Sequence, residues 1–131
     1  QYPINYVKLL NSSIDTVRLF NHNISNDNFK SASLDLSRLT NLKELDCSNW
    51  ARLQILTMPA TNNLIMVDLS HTGLVNDEKT LKAIANSLPI KPPDVVGGYE
   101  FTCEGTQTPD GYAYWQSVAD ILTSKGWSYN Y

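Results

Sequence analysis

The chain has 131 residues, 42% of them hydrophobic and 18% charged, with a formal net charge of -3. That length predicts one domain, 1–131, with a real core, and that balance argues against disorder. It also argues against a general nucleic-acid binder, which needs a basic footprint. No apolar run approaches the roughly 18 residues of a membrane span.

The start, QYPINYVKLL, has no basic leader and no cleavage site, so it reads as a mature or trimmed beginning that leaves export open. An apolar-x-x-apolar-x-apolar phrase then recurs: Ile4, Val7 and Leu9; Ile14, Val17 and Leu19; Ser31, Leu34 and Leu36. It continues with Leu42, Leu45 and Cys47, then Leu53, Leu56 and Met58, then Leu64, Val67 and Leu69. From Leu34 onward each phrase lies eleven residues beyond the last. The stretch NHNISNDNFKSA after Phe20 lengthens one step and reads as a polar loop insertion. Asn, Ser, Thr and Pro between the phrases leave no helical window, so the phrases predict short strands.

After Leu74 the pattern becomes helical. Asn76 or Asp77 can cap a helix whose apolar positions Leu81, Ile84, Ala85 and Leu88 fall at i, i+3, i+4 and i+7. Pro89, Pro92 and Pro93 end it, and Tyr99, Phe101 and Cys103 alternate as in a strand. A second helix is expected from about Thr108 and Pro109, with Trp115, Val118, Ala119 and Leu122 on one face and Gly126 as its terminator. Trp127, Tyr129 and Tyr131 alternate again at the end. The spacing of these last strands suits parallel pairing through a helical crossover.

Several phrases fit the longer leucine-rich template, as in Leu64, Val67, Leu69, Thr72 and Leu74, with Ser, His or Thr where Asn is usual. Because a leucine-rich coil takes about 20 to 29 residues, two eleven-residue phrases make one coil. The phrases SLDLSRLTNLKELDCSN and VDLSHTGL resemble the leucine-rich-repeat proteins of Bacteroidetes, in which LDCSxN and LDVSxN half-repeats alternate. The ending NSLP…G…KGW is similar to that of such bacterial proteins and of some phage-encoded ones. The resemblance implies an α/β leucine-rich-repeat solenoid with a parallel β-sheet, short irregular N-terminal coils and helix-bearing C-terminal turns. Its repeats would cover about 4–75 and its C-terminal cap about 76–131.

Catalytic motifs are missing: there is no phosphate-cradling glycine loop, no HExxH, no GxSxG and no metal-spaced cluster. His22 and His71 read as surface or ladder residues. Asn21, Asn23, Asn26, Asp27 and Asn28 offer oxygen ligands of the kind Ca²⁺ accepts, but without the order of a calcium loop. Cys47 and Cys103 sit at apolar slots and are expected as buried free thiols. No enzyme, cofactor or metal is therefore predicted.

A solenoid instead supplies a sheet whose outward side chains form a binding face. The outward position of the phrase selects Lys8, Arg18, Asp46 and Asp68, running from basic to acidic along the stack. Lys43 and Trp50 join them, Trp50 as a ring that could project from a turn. The expected function is a non-enzymatic protein-binding module, monomeric and at the cell surface or secreted, with a protein or glycan ligand. The alternatives are a structural or capping module at the end of a larger surface or phage-tail protein, and a carbohydrate-binding module using Trp50 or the terminal tyrosines.

Overall fold

The computed structural model describes residues 6–19, 32–75, 77–105 and 111–131, with side chains described from Trp115 onward in the last segment. Ile4, Ser31, Asn76, Thr108, Pro109, His22 and the oxygen-rich stretch 21–28 lie outside the described residues. So do the side chains of Tyr112 and Tyr114.

The phrases form strands, in keeping with their alternation. They are β1 (Tyr6–Lys8), β2 (Thr16–Arg18), β3 (Ala32–Asp35), β4 (Glu44–Asp46), β5 (Leu53–Thr57) and β6 (Met66–Asp68). Helix α1 (Glu78–Ser87), strand β7 (Glu100–Thr102), helix α2 (Gly111–Ser124) and strand β8 (Ser128–Asn130) complete the mixed α/β fold. Every strand pairing is parallel.

One parallel sheet was the expectation from sequence; two are found. Odd and even phrases part company, giving a three-stranded sheet β1-β3-β5 and a five-stranded sheet β2-β4-β6-β7-β8. Leu34 lies beside Leu56 and Leu45 beside Val67, so one step along either sheet is twenty-two residues, two phrases. The first step is longer in both sheets, with Val7 beside Leu34 and Val17 beside Leu45, because the chain between them carries the polar insertion. The last two steps, Val67 to Phe101 and Phe101 to Tyr129, are longer because each contains a helix.

The central phrase position of each strand points inward, as at Leu34, Leu45, Leu56, Val67 and Phe101, whereas Ile55 in the middle of β5 faces water. Leu34, Leu45, Leu53, Val67 and Phe101 are fully buried, and they share one core with Leu81, Ile84, Trp115 and Leu122 of the helices. Each such leucine contributes about 1.5–3 kcal/mol by leaving water, which the phrases supply in series. The strands themselves are only three to five residues long, so side-chain burial rather than strand length sets the register.

Both helices begin and end on identifiable chemistry. Asp77 caps α1, its carboxylate accepting from the Thr80 backbone N–H at 3.1 Å and from the Thr80 hydroxyl at 2.8 Å. The Lys125 ammonium donates to the Asn86 carbonyl at 2.7 Å and to that of Leu88, satisfying the far end of α1. Burial there holds the Lys125 pKa below its ordinary value. At the end of α2, Gly126 adopts φ +83, its N–H bonds to Thr123 O, and Trp127 N–H bonds to Leu122 O. Those two bonds form a Schellman motif, and the left-handed residue is the glycine that the motif favours.

Candidate functional site

The five-stranded sheet turns two rows of side chains outward. One row runs Thr16, Glu44, Met66, Glu100 and Ser128, and the other runs Arg18, Asp46, Asp68, Thr102 and Asn130. All of these positions are exposed or half-buried, so neither helix covers this face. Of the residues expected from sequence, the face brings together Arg18, Asp46 and Asp68. Arg18 reaches Glu44 at 3.7 Å, a surface pair worth about 0–1 kcal/mol.

Lys8 is not on this face. It belongs to β1 in the other sheet, where its ammonium sits 3.6 Å from Asp35. The single basic-to-acidic gradient expected from sequence is therefore split between two sheets, because alternate phrases enter different ones. Lys43 stands just before β4 with its side chain exposed. Its main chain joins three strands, the N–H donating to Asp15 O at 2.7 Å and the carbonyl accepting from Ile65 N–H at 2.8 Å.

Trp50 does not project from its turn. Only 7% of it is exposed, and it packs in the core with Leu53 and its neighbours. The Leu53 N–H closes the turn on the Trp50 carbonyl at 3.0 Å. The indole thus fills space where the chain swings from one sheet to the other, a large apolar gain that outweighs exposure. That burial leaves no ring face at Trp50 for a sugar.

The recurring aspartates have a shared local role. Asp35 Oδ1 accepts the Ser37 N–H, Asp46 Oδ1 the Ser48 N–H and Asp68 Oδ1 the Ser70 N–H, each at 2.9 Å. Each is an Asx turn that ends a strand by satisfying a main-chain donor two residues on. The hydrogen bonds from Ser37, with Lys8 nearby, hold the Asp35 carboxyl below its usual range. On the five-stranded sheet the turn continues through a left-handed residue: Asn49 at φ 63, His71 at φ 58 and Gly105 at φ 107. Asn, His and Gly are the side chains that tolerate that region. The turns stack as well, with Asn49 N–H donating to Ser70 O and His71 N–H to Glu104 O, both at 2.8 Å. His71 is thus a ladder residue.

Sequence reasoning missed Glu44, Met66 and Glu100. The signal was present, because the residue two before each strand-ending position must share its face. Only one of the two outward positions per strand was selected from sequence.

Cys47 and Cys103 are both buried and free, occupying equivalent inward slots with Leu69 between them in the stack. Burial pushes both thiols up to about 12, with Asp68 (and Asp46 for Cys47) adding to the rise, so neither is a ready nucleophile at neutral pH. The terminal aromatics pack together. Trp115 meets Phe101, Tyr129 and Tyr131 at centroid distances of 6.2, 6.3 and 5.1 Å, and Tyr99 meets Trp127 edge-on at 5.5 Å. The Trp127 indole N–H donates to Pro89 O at 2.8 Å, tying the last strand to the end of α1.

Among the described residues no three His, Cys, Asp or Glu side chains converge as a metal site would require. No described helix is long and apolar enough to cross a membrane. Compared with protein-family models, with curated proteins and with solved structures, the chain matches none.

Proposed function

We propose that the chain is a leucine-rich-repeat solenoid that binds a protein partner through the outward face of its five-stranded sheet. The observation that carries this reading is that face itself: an uncovered parallel sheet across five strands, with Arg18 at one edge and Glu44, Asp46, Asp68 and Glu100 across its middle. A sheet held by a packed core is a preformed surface, and such surfaces bind with little rearrangement. No catalytic role is assigned to any residue. Action at or outside the cell surface is part of the same proposal, and its support is the resemblance to bacterial leucine-rich-repeat proteins, by analogy of fold.

The test is capture of partners from a cell-surface extract by three forms of the chain. The double variant Glu44→Lys, Glu100→Lys reverses charge on the proposed face, and Ser33→Lys adds charge to the other sheet. The reading predicts a partner held by the wild type and by Ser33→Lys but lost by the double variant. Equal capture by all three, or no capture by any, contradicts it.

The structural alternative draws support from the helix-bearing end, where Trp115 of α2 packs against Phe101, Tyr129 and Tyr131. It predicts that Glu44→Lys, Glu100→Lys changes no interaction while Trp115→Ala destabilises the whole chain. The carbohydrate alternative is left with the terminal tyrosines, since Trp50 is buried.

A further inference from the structure

The turn between β1 and β2 reads Asn11-Ser12-Ser13, an Asn-x-Ser triplet whose middle residue is not proline. That pattern is the acceptor signal for N-linked glycans. The Asn11 Oδ1 accepts the Ser13 backbone N–H at 3.0 Å and the Ser13 hydroxyl at 2.7 Å. The Ile14 N–H closes the same turn on the Asn11 carbonyl at 3.1 Å. Among the described residues the Asn11 side chain bonds only through its oxygen, which leaves Nδ2 without a partner. Asn41 and Asn62 differ. Each commits its Nδ2 to a main-chain carbonyl, and neither has Ser or Thr two residues on.

Asn11, Ser12 and Ser13 are all exposed. Exposure here belongs to the position of the turn in the fold. The corresponding turn between β3 and β4, whose strands have neighbours on both sides, exposes Ser37, Arg38, Thr40 and Asn41 as well. The two turns touch through Asn41, whose Nδ2 donates to Ser12 O at 2.8 Å. The Asn11 turn is thus held by main-chain groups and not by its own amide nitrogen.

A carboxamide nitrogen is a poor nucleophile, because resonance delocalises its lone pair into the carbonyl. Two hydrogen bonds to the carbonyl oxygen stabilise negative charge there, which eases loss of a proton from Nδ2. Both bonds lie within three residues, so they are available before the chain packs.

We propose that Asn11 is an acceptor for an N-linked glycan, transferred from a lipid-pyrophosphate-linked oligosaccharide by a membrane oligosaccharyltransferase. Nδ2 attacks the anomeric carbon of the donor and forms the N–C1 bond. The C1–O bond breaks, the lipid pyrophosphate leaves with its electron pair, and one Nδ2 proton passes to a base of the transferase. Ser13 is a positioning residue in this step. Asn11 lies outside both outward rows of the five-stranded sheet, so a glycan and a partner on that face do not compete for the same residues. The inference rests on the proposed action at or outside the cell surface, since only an exported chain meets such a donor. Asn23-Ile24-Ser25 has the same pattern but lies outside the described residues.

The test is translation of the 131-residue chain behind a secretion signal, in the presence of microsomes that carry donor and transferase. Peptide mapping before and after N-glycosidase reads occupancy at Asn11 separately from Asn23. Asn11 is expected to carry a glycan in the wild type and in Ser13→Thr, which keeps the hydroxyl. Occupancy should fall by about tenfold or more in Ser13→Ala, as loss of a hydrogen bond to a developing charge implies. A bare Asn11 in the wild type, or equal occupancy in Ser13→Ala, overturns the proposal. Because the signal supplies export to every form, a bare Asn11 leaves the partner reading standing. An occupied Asn11 on a chain that captures no partner fails the partner reading alone.

Discussion

The two sheets start alike and end differently. In both, the first steps are built from the same apolar phrase with the same inward leucines. The three-stranded sheet stops at β5, while the five-stranded sheet runs on through β6, β7 and β8. The difference lies in the connections. Where the chain returns in about two phrases it lays a strand on each side. Where Val67 and Phe101 are separated by a longer path, that path folds into α1, and the next into α2. Helices therefore occupy the lengths in which the other sheet would have gained strands. Connection length, rather than the strand phrase, decides what the second side of the stack contains.

The comparison can be broken most forcefully in the core. Trp115→Ala on the helical side is expected to cost about 3–5 kcal/mol and Leu45→Ala on the repeat side about 2–5 kcal/mol, by lost burial and cavity formation. Calorimetry should show one transition lowered by both variants, because their side chains share one core. Two separable transitions would mean that the halves fold independently.

A smaller effect separates turn chemistry from surface chemistry. Asp68→Ala removes the acceptor of the Ser70 N–H and is expected to cost about 1 kcal/mol. Asp68→Asn keeps an acceptor oxygen and should recover most of that in denaturant titration. An equal loss in both variants would assign Asp68 a role of its charge instead of its turn.

The smallest expected effect at neutral pH comes from the thiols. Their pKa rises from 9.0 to about 12 in the fold. The unfolded chain therefore releases these protons first as pH rises. Stability due to the neutral thiols is whole below about pH 9 and falls progressively toward pH 12. Cys47→Ala, Cys103→Ala should flatten that part of the pH–stability curve, although cavity costs lower the curve throughout. Native thiols should also resist alkylation at pH 8 and react on unfolding; rapid native labelling would contradict their burial.

Much of this was legible in the sequence. The phrase positions Leu34, Leu45 and Val67 fixed the inward slots, and Leu81, Ile84 and Ala85 fixed the buried stripe of α1, because periodicity follows directly from geometry. The Asp77 cap and the Gly126 terminator were readable from residue chemistry. The division into two sheets was not. One phrase looks like the next, and nothing in apolar-x-x-apolar-x-apolar states which side of the core it serves. That ambiguity misplaced Lys8 beside Arg18. Trp50 was misjudged for a different reason: its position in a turn suggested exposure, while its volume filled the space between sheets. The Asx role of Asp35, Asp46 and Asp68 was visible in the repeated Asp-x-Ser, yet an outward carboxylate in a sheet invites a functional reading first.

The central claim is that the repeating unit is twenty-two residues, with alternate eleven-residue phrases in different sheets. Deleting residues 44–65 removes one whole unit and brings Met66 to the place of Glu44 beside Thr16. Deleting residues 44–54 removes one phrase and sends every later strand to the wrong sheet. Thermal unfolding followed by circular dichroism should show a cooperative, if lowered, transition for the first deletion and none for the second. Equal outcomes for the two deletions would contradict the alternation on which the account stands.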